Sequence, residues 1–335
     1  RALADAGTDL GRQAQRLANH GLDENQLNKL ARAIQKAQAA QRSLAPLTPF
    51  RLGLISNATS HFIVPALVAT AARHGIALEC IEADYDQVMQ TALSPDSVIN
   101  RAQCDAVLVA VDHRGLPLNP SPGDPEAAQR TVDAALGHLN MIRDGIRSHG
   151  KALAIVQTIP RPVESSFGSF DLALSGTTRQ LIDEVNRGIG RSIPGSEDLL
   201  FDVAHLAETV GLADWHDVTL WNMAKLPFAS RFLPLYAAVG EGHLCVLQRR
   251  RDPRLAAPPR GPRRRRARAE VGGPARRPGA PGAPDAPPAR RHPIGSCSPR
   301  GTSDRIAASA STQRRTPSGI GGESSCQGDA SISCC

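Results

Sequence analysis

Aromatic residues and lysine are scarce in this chain of 335 residues, and both stop well before its end. The eleven aromatics lie between Phe50 and Tyr236, and the four lysines are Lys29, Lys36, Lys151 and Lys225. No apolar run reaches the 18 or more residues of a membrane span, and no apolar signal core opens the chain. A membrane partner is therefore not expected. No Cys-x-x-Cys or Cys/His spacing suggests zinc. No G-x-G-x-x-G follows an apolar run, so a nucleotide cofactor is not supported and no cofactor is expected in this chain. Of Cys80, Cys104 and Cys245, the first two fall in or beside predicted strands, where a thiol behaves as a small buried hydrophobe, and the compartment reads as reducing and cytoplasmic. Arg1 is not an initiator, which suggests that the sequence begins inside a longer one.

The composition breaks near Gln248. From residue 249 on there are eighteen arginines against six acids, a charge of +12, so the preceding residues carry −5 of the chain's net +7. The high isoelectric point describes the tail and not the body, and a mildly acidic body gives no reason to expect nucleic acid. Residues 249–291 are mostly Arg, Pro, Ala and Gly, which cannot bury enough apolar surface to offset ordering entropy. Three readings compete: an Arg-rich arm that binds phosphates, a plain disordered extension, and translation in the wrong frame. The third is preferred because GC-rich codons give these residues and exclude Lys and aromatics, and it explains the abruptness. The domain boundaries follow: a helical segment over 1–48, an α/β domain over 49–245, and a disordered tail over 246–335.

In the body, Asp23 is placed to cap a helix whose apolar stripe is Leu27, Leu30, Ala31, Ile34 and Ala37. An alternation follows. Residues 51–56 (RLGLIS), 77–83 (ALECIEA), 106–112 (AVLVAVD), 151–159 (KALAIVQTI) and 199–203 read as strands. Residues 62–74, 87–93, a long stretch opened by Asp124-Pro125 and closed by Gly150, and 177–187 read as helices. Alternation of this kind predicts a parallel sheet with helices on both faces. Ligands in such sheets bind at the carboxyl ends of the strands.

Several residues at those ends could carry chemistry. Ser56, Asn57 and Thr59 follow the first strand, where a hydroxyl could act as nucleophile near the free N–H groups of a helix start or could simply cap that helix. No G-D-S motif is present. Asp112 and Arg114 with His113 follow the third strand and suit an anionic or acyl substrate, or a solvated loop; Gln157 ends the fourth. His216 with Asp217 could be a general base and its orienter, although the neighbouring Trp215 and Trp221 argue for packing. Lys225 could neutralise an anionic ligand or be an ordinary surface charge.

The segment from Leu200 to Tyr236, LFDVAHLAETVGLADWHDVTLWNMAKLPFASRFLPLY, together with IEADYDQVMQ at 81–90, VQTIP at 156–160 and FGSFD at 167–171, resembles the N-terminal region of FkbH-like proteins, subfamily IIIC of the haloacid dehalogenase (HAD) superfamily. The resemblance spans roughly residues 1–245 and implies a three-layer fold like that of SGNH hydrolases. It also implies a place in polyketide-type natural-product pathways. There, such proteins are thought to remove phosphate from a three-carbon acyl donor and load glyceryl on an acyl carrier protein, the implied partner. The HAD part opens with D-x-D-x-T, whose first aspartate accepts the phosphoryl group beside magnesium. No D-x-D occurs after Gln248, so the resemblance implies a truncated protein, with magnesium expected only for the missing domain. Carrier docking on an acidic body would need a local basic patch, for which Arg161, Arg231 and Lys225 are candidates. Two other functions remain open: an autonomous SGNH-type esterase or acyltransferase using Ser56 or Thr59 with His216, and an Arg-tailed nucleic-acid binder.

Overall fold

The computed structural model describes residues 9–251. The chain opens with helices α1 (Leu10–Ala18) and α2 (Glu24–Ala39). Asp23 caps α2 as a full capping box: its carboxylate accepts from the Gln26 N–H at 2.8 Å, and the Gln26 side chain accepts from the Asp23 N–H at 3.0 Å. The five residues of the predicted stripe are all buried.

The strands are β1 (Thr48–Ser56), β2 (Ile76–Glu82), β3 (Ala106–Ala110), β4 (Leu153–Gln157) and β5 (Leu199–Phe201). They form one parallel sheet in the order β2-β1-β3-β4-β5. Between and after them run α3 (Ile63–Ala71), α4 (Val88–Leu93), α5 (Val98–Arg101), α6 (Pro125–Gly145), α7 (Thr178–Ser192), α8 (Val203–Val210), α9 (Leu212–Trp215), α10 (Val218–Ala224) and α11 (Leu233–Arg251).

The sheet is covered on both faces, as its near-continuous apolar strands require. Leu52 and Leu54 of β1 and Leu108 and Ala110 of β3 point to one core, shared with α1, α2, α3 and α11. Ile55, Val107 and Val109 point to the other, shared with α4, α6 and α7. This is the two-residue period of a strand buried on both sides. Helices α1 and α2 thus complete the core of the sheet.

The element ends differ from the sequence reading for local reasons. β3 stops at Ala110 because the Asp112 N–H is taken by the Asn57 side chain, 2.9 Å away. β4 starts at Leu153 because Lys151 adopts a left-handed backbone, φ 55°. α3 tightens after Ala71 into a 3₁₀ turn that ends on Gly75, φ 76°. α11 runs to Arg251, past residue 246 where the sequence reading starts the tail. The rest of that expected tail lies outside the described residues. Among the described residues, no helix is long and apolar enough to cross a membrane.

Candidate binding site at the carboxyl edge of the sheet

β1 has β2 on one side and β3 on the other, and the chain moves outward from this pair in opposite directions. The carboxyl ends of β1 and β3 therefore flank the crevice where open α/β sheets bind ligands. Ser56 and Asn57 leave β1 there, and Asp112 follows β3.

Asn57 and Asp112, both buried, are locked together. The Asn57 amide Nδ2 donates to Asp112 Oδ1 at 2.7 Å, and its Oδ1 accepts from the Asp112 N–H. Asp112 in turn aims Arg114. Its Oδ1 accepts from the Arg114 N–H at 2.8 Å and its Oδ2 from Nη1 at 2.7 Å. The Arg114 guanidinium lies over the Trp221 ring, 3.9 Å from its centre, and Lys225 Nζ lies 5.2 Å from the same centre. Both distances are in cation–π range.

Lys225 is placed by its backbone. It ends α10 in the left-handed region, φ 53°. Its carbonyl accepts from the Thr59 N–H at 3.0 Å, while the Thr59 hydroxyl donates to the Ala224 carbonyl at 2.7 Å. Thr59 thus ties the Lys225 loop to the end of β1. Lys225 forms no ion pair with a carboxylate among the described residues. Beside Trp221, a cavity of about 20 Å³ is lined by Arg114, Glu164, His216 and Pro227. That is room for about one water molecule. His113 is partly buried, and burial pushes its imidazole below the usual value, with Asp112 acting in the other direction.

The hydroxyl and imidazole candidates are not assembled for nucleophilic chemistry. Ser56 is 5% exposed; its hydroxyl donates to the Ala110 carbonyl and accepts from the Ala58 N–H. His216 Nε2 bonds the Arg161 carbonyl at 2.8 Å. Asp217 caps α10 through the Leu220 N–H and does not orient His216. Among the described residues no hydrogen bond joins Ser56 or Thr59 to His216. Gln157 is also spent internally: it donates to the Val111 carbonyl and accepts from Tyr236. Of the three cations suggested for a docking patch, Arg161 pairs with Asp183 and Glu208 and Arg231 pairs with Asp214, which leaves Lys225.

The structure separates the two tryptophans. Trp215 is 1% exposed and stacks on Phe228 and Phe232. Trp221 is half-buried and carries the cations, a role that sequence reasoning missed. The loop after β4 adds an apolar rim. Buried Asp171 accepts from the Ser166 and Phe167 N–H groups at 2.9 Å each, and the loop so held leaves Phe170 at 74% and Leu172 at 68% exposure. Exposed apolar side chains on a loop that follows a strand's carboxyl end are the composition of an interaction surface.

A family model described as "FkbH, N-terminal domain" matches residues 51–240, more than half of the chain. Among solved structures, the chain is similar to the N-terminal part of the protein BF1531 from Bacteroides fragilis, which contains a phosphatase domain and was crystallised in complex with magnesium. The TM-score is 0.56 at 14% sequence identity, over 68% of this chain and 57% of that one. At that identity the likeness is one of fold, and this chain spans little more than half of its neighbour. No curated protein matches the chain.

Proposed function

The chain belongs to the FkbH family, whose N-terminal domain it carries over residues 51–240, and on that premise we propose that this domain is the recognition half of a phosphatase-linked acyl transfer system. It holds an anionic partner at the carboxyl edge of its sheet, while the phosphoryl chemistry belongs to a separate HAD domain. One observation carries the reading. At the topological switch point, the cations Arg114 and Lys225 gather on the half-buried indole of Trp221, and the nearby hydroxyls are consumed by structural bonds. Such an edge binds and orients but supplies no nucleophile.

The partner that fits best is an acyl carrier protein bearing a glyceryl-type unit in a polyketide-type pathway of the cytoplasm. The three described cysteines are all free thiols, in keeping with that compartment. Carrier proteins are usually acidic, and the edge opposes that charge with Lys225 and Arg114. Electrostatics of this kind sets orientation and association rate more than final affinity.

Magnesium does not fit this domain. Among the described residues no three His, Cys, Asp or Glu side chains gather as a metal site. The carboxylate at the crevice, Asp112, has both oxygens bonded to Asn57 and Arg114. We assign magnesium to the phosphatase domain. No D-x-D stands after Gln248 to supply the phosphoryl-accepting aspartate. The purified full chain, given magnesium and an acyl phosphate, should release no phosphate above the buffer rate. Magnesium-dependent release by this chain would overturn the division of labour.

A further inference from the structure

At the opposite, amino end of the sheet lies a second cavity, of about 470 Å³, bounded by α1, the start of β1, the turn after α3 and the last turns of α11. Its size is that of a small-molecule site. Its charge is unlike that of the acidic body. Arg73, His74 and Arg249 line it, and no Asp or Glu does. Arg73 spends its Nε on the Ala18 carbonyl at 3.0 Å, and no ion pair engages Arg73 or Arg249 among the described residues. Two carboxamides complete the wall, Gln15 and Gln248. Neither side chain forms a hydrogen bond among the described residues, although Gln248 is only 8% exposed. Basic side chains are expected near helix C-termini, which accounts for Arg73 and Arg249 singly. It does not account for two uncommitted amides converging with them.

We propose that this cavity binds a small phosphate-bearing anion, which ties α11 to α1 and to the turn after α3. Guanidinium and carboxamide donors from three elements suit an oxyanion with several acceptor oxygens. Behind His74 lies Glu241 of α11, fully buried. Its Oε2 is 3.3 Å from His74 Nε2, at ion-pair distance but without hydrogen-bond geometry, and neither oxygen accepts a hydrogen bond. The charged or titratable groups facing it are His74 and Arg73 from the turn after α3 and Cys245 of its own helix; the lining residues of α1 and β1 add none. An ionised Glu241 would oppose a bound anion, so anion binding and protonation of Glu241 favour each other.

Cys245 lines the same cavity and reports on it. In the full chain, inorganic phosphate at constant ionic strength should slow alkylation of Cys245 by N-ethylmaleimide, read by peptide mass spectrometry. Cys297 and Cys326, in the Arg-rich region, serve as controls for loose anion binding and should not be protected. The phosphate concentration for half-protection should be lower at pH 6.5 than at pH 8. It should rise roughly three- to tenfold in Arg249→Ala and again in Gln248→Ala, each variant being compared with its own phosphate-free rate. Absence of protection, equal protection of Cys297, or a midpoint indifferent to both substitutions would each overturn the proposal.

Discussion

Trp215→Ala is expected to cost about 3–5 kcal/mol of folding stability, a large part of the margin of an ordinary domain. The indole is 1% exposed and stacks at 4.5 Å on Phe228, which in turn packs at 4.9 Å on Tyr236. Its carbonyl also accepts from the Ala229 N–H at 2.8 Å. Removing the ring leaves a cavity at the junction of the Lys225 loop with α11, so both the core and the carboxyl edge lose their support. Trp221→Ala, by contrast, removes a half-buried ring whose contacts are with the Arg114 and Lys225 side chains, and should cost less than about 1 kcal/mol. Urea unfolding followed by far-UV circular dichroism separates the two. Equal destabilisation by both variants would mean that Trp221 is a packing residue and that the cations rest on it by chance.

The second large effect concerns pH. Burial pushes the Glu241 carboxyl up to about 7, against the smaller opposing pull of His74 and Arg73. Between the usual carboxylate value near 4.5 and about 7, the folded chain holds a proton that the unfolded chain has released. Folding stability contributed by this group is therefore greatest below pH 4.5 and falls as pH rises to about 7. At one pK unit per 1.4 kcal/mol the loss is up to about 3 kcal/mol. Glu241→Gln cannot release the proton, so its stability relative to the parent should climb by that amount over the same window and then level off. A parent-minus-variant difference independent of pH would show that Glu241 is ionised and compensated in the fold.

Much of the scaffold could be read from local chemistry. The α2 stripe, the Asp23 and Asp124 caps, the apolar run of β3 and Gly75 at the end of the α3 turn all follow from period, capping and backbone preference. The parallel, two-faced sheet follows from their alternation. α11 was not legible, because Gly240, Glu241 and Gly242 interrupt its apolar face. The fold packs the Gly240 position against the Phe201 ring, where a side-chain Cβ would sit 3.4 Å away, in ordinary contact. The site was legible as a location more than as a chemistry. Asn57, Asp112, Arg114 and Lys225 do come together at one crevice. Ser56 illustrates the limit. A hydroxyl at a strand end can be a nucleophile or a strand-end bond, and the deciding partner, the Ala110 carbonyl, lies 54 residues away. Asp217 could have been recognised as a helix cap, since it stands just before the apolar turn it closes. Nothing local in the sequence signals that Lys225 takes a left-handed backbone and joins Arg114 on one indole.

The most direct test is a titration of an acidic acyl carrier protein into the full chain, its Trp221→Ala and Lys225→Glu variants, and a charge-matched control in which exposed Lys151 becomes Glu. Parent binding should weaken with salt, the two edge variants should bind at least about tenfold more weakly, and the Lys151→Glu control should bind like the parent. Binding that is unchanged in both edge variants, or weakened equally in all three, would contradict the placement of the partner at the carboxyl edge and with it the account of this domain as a recognition module.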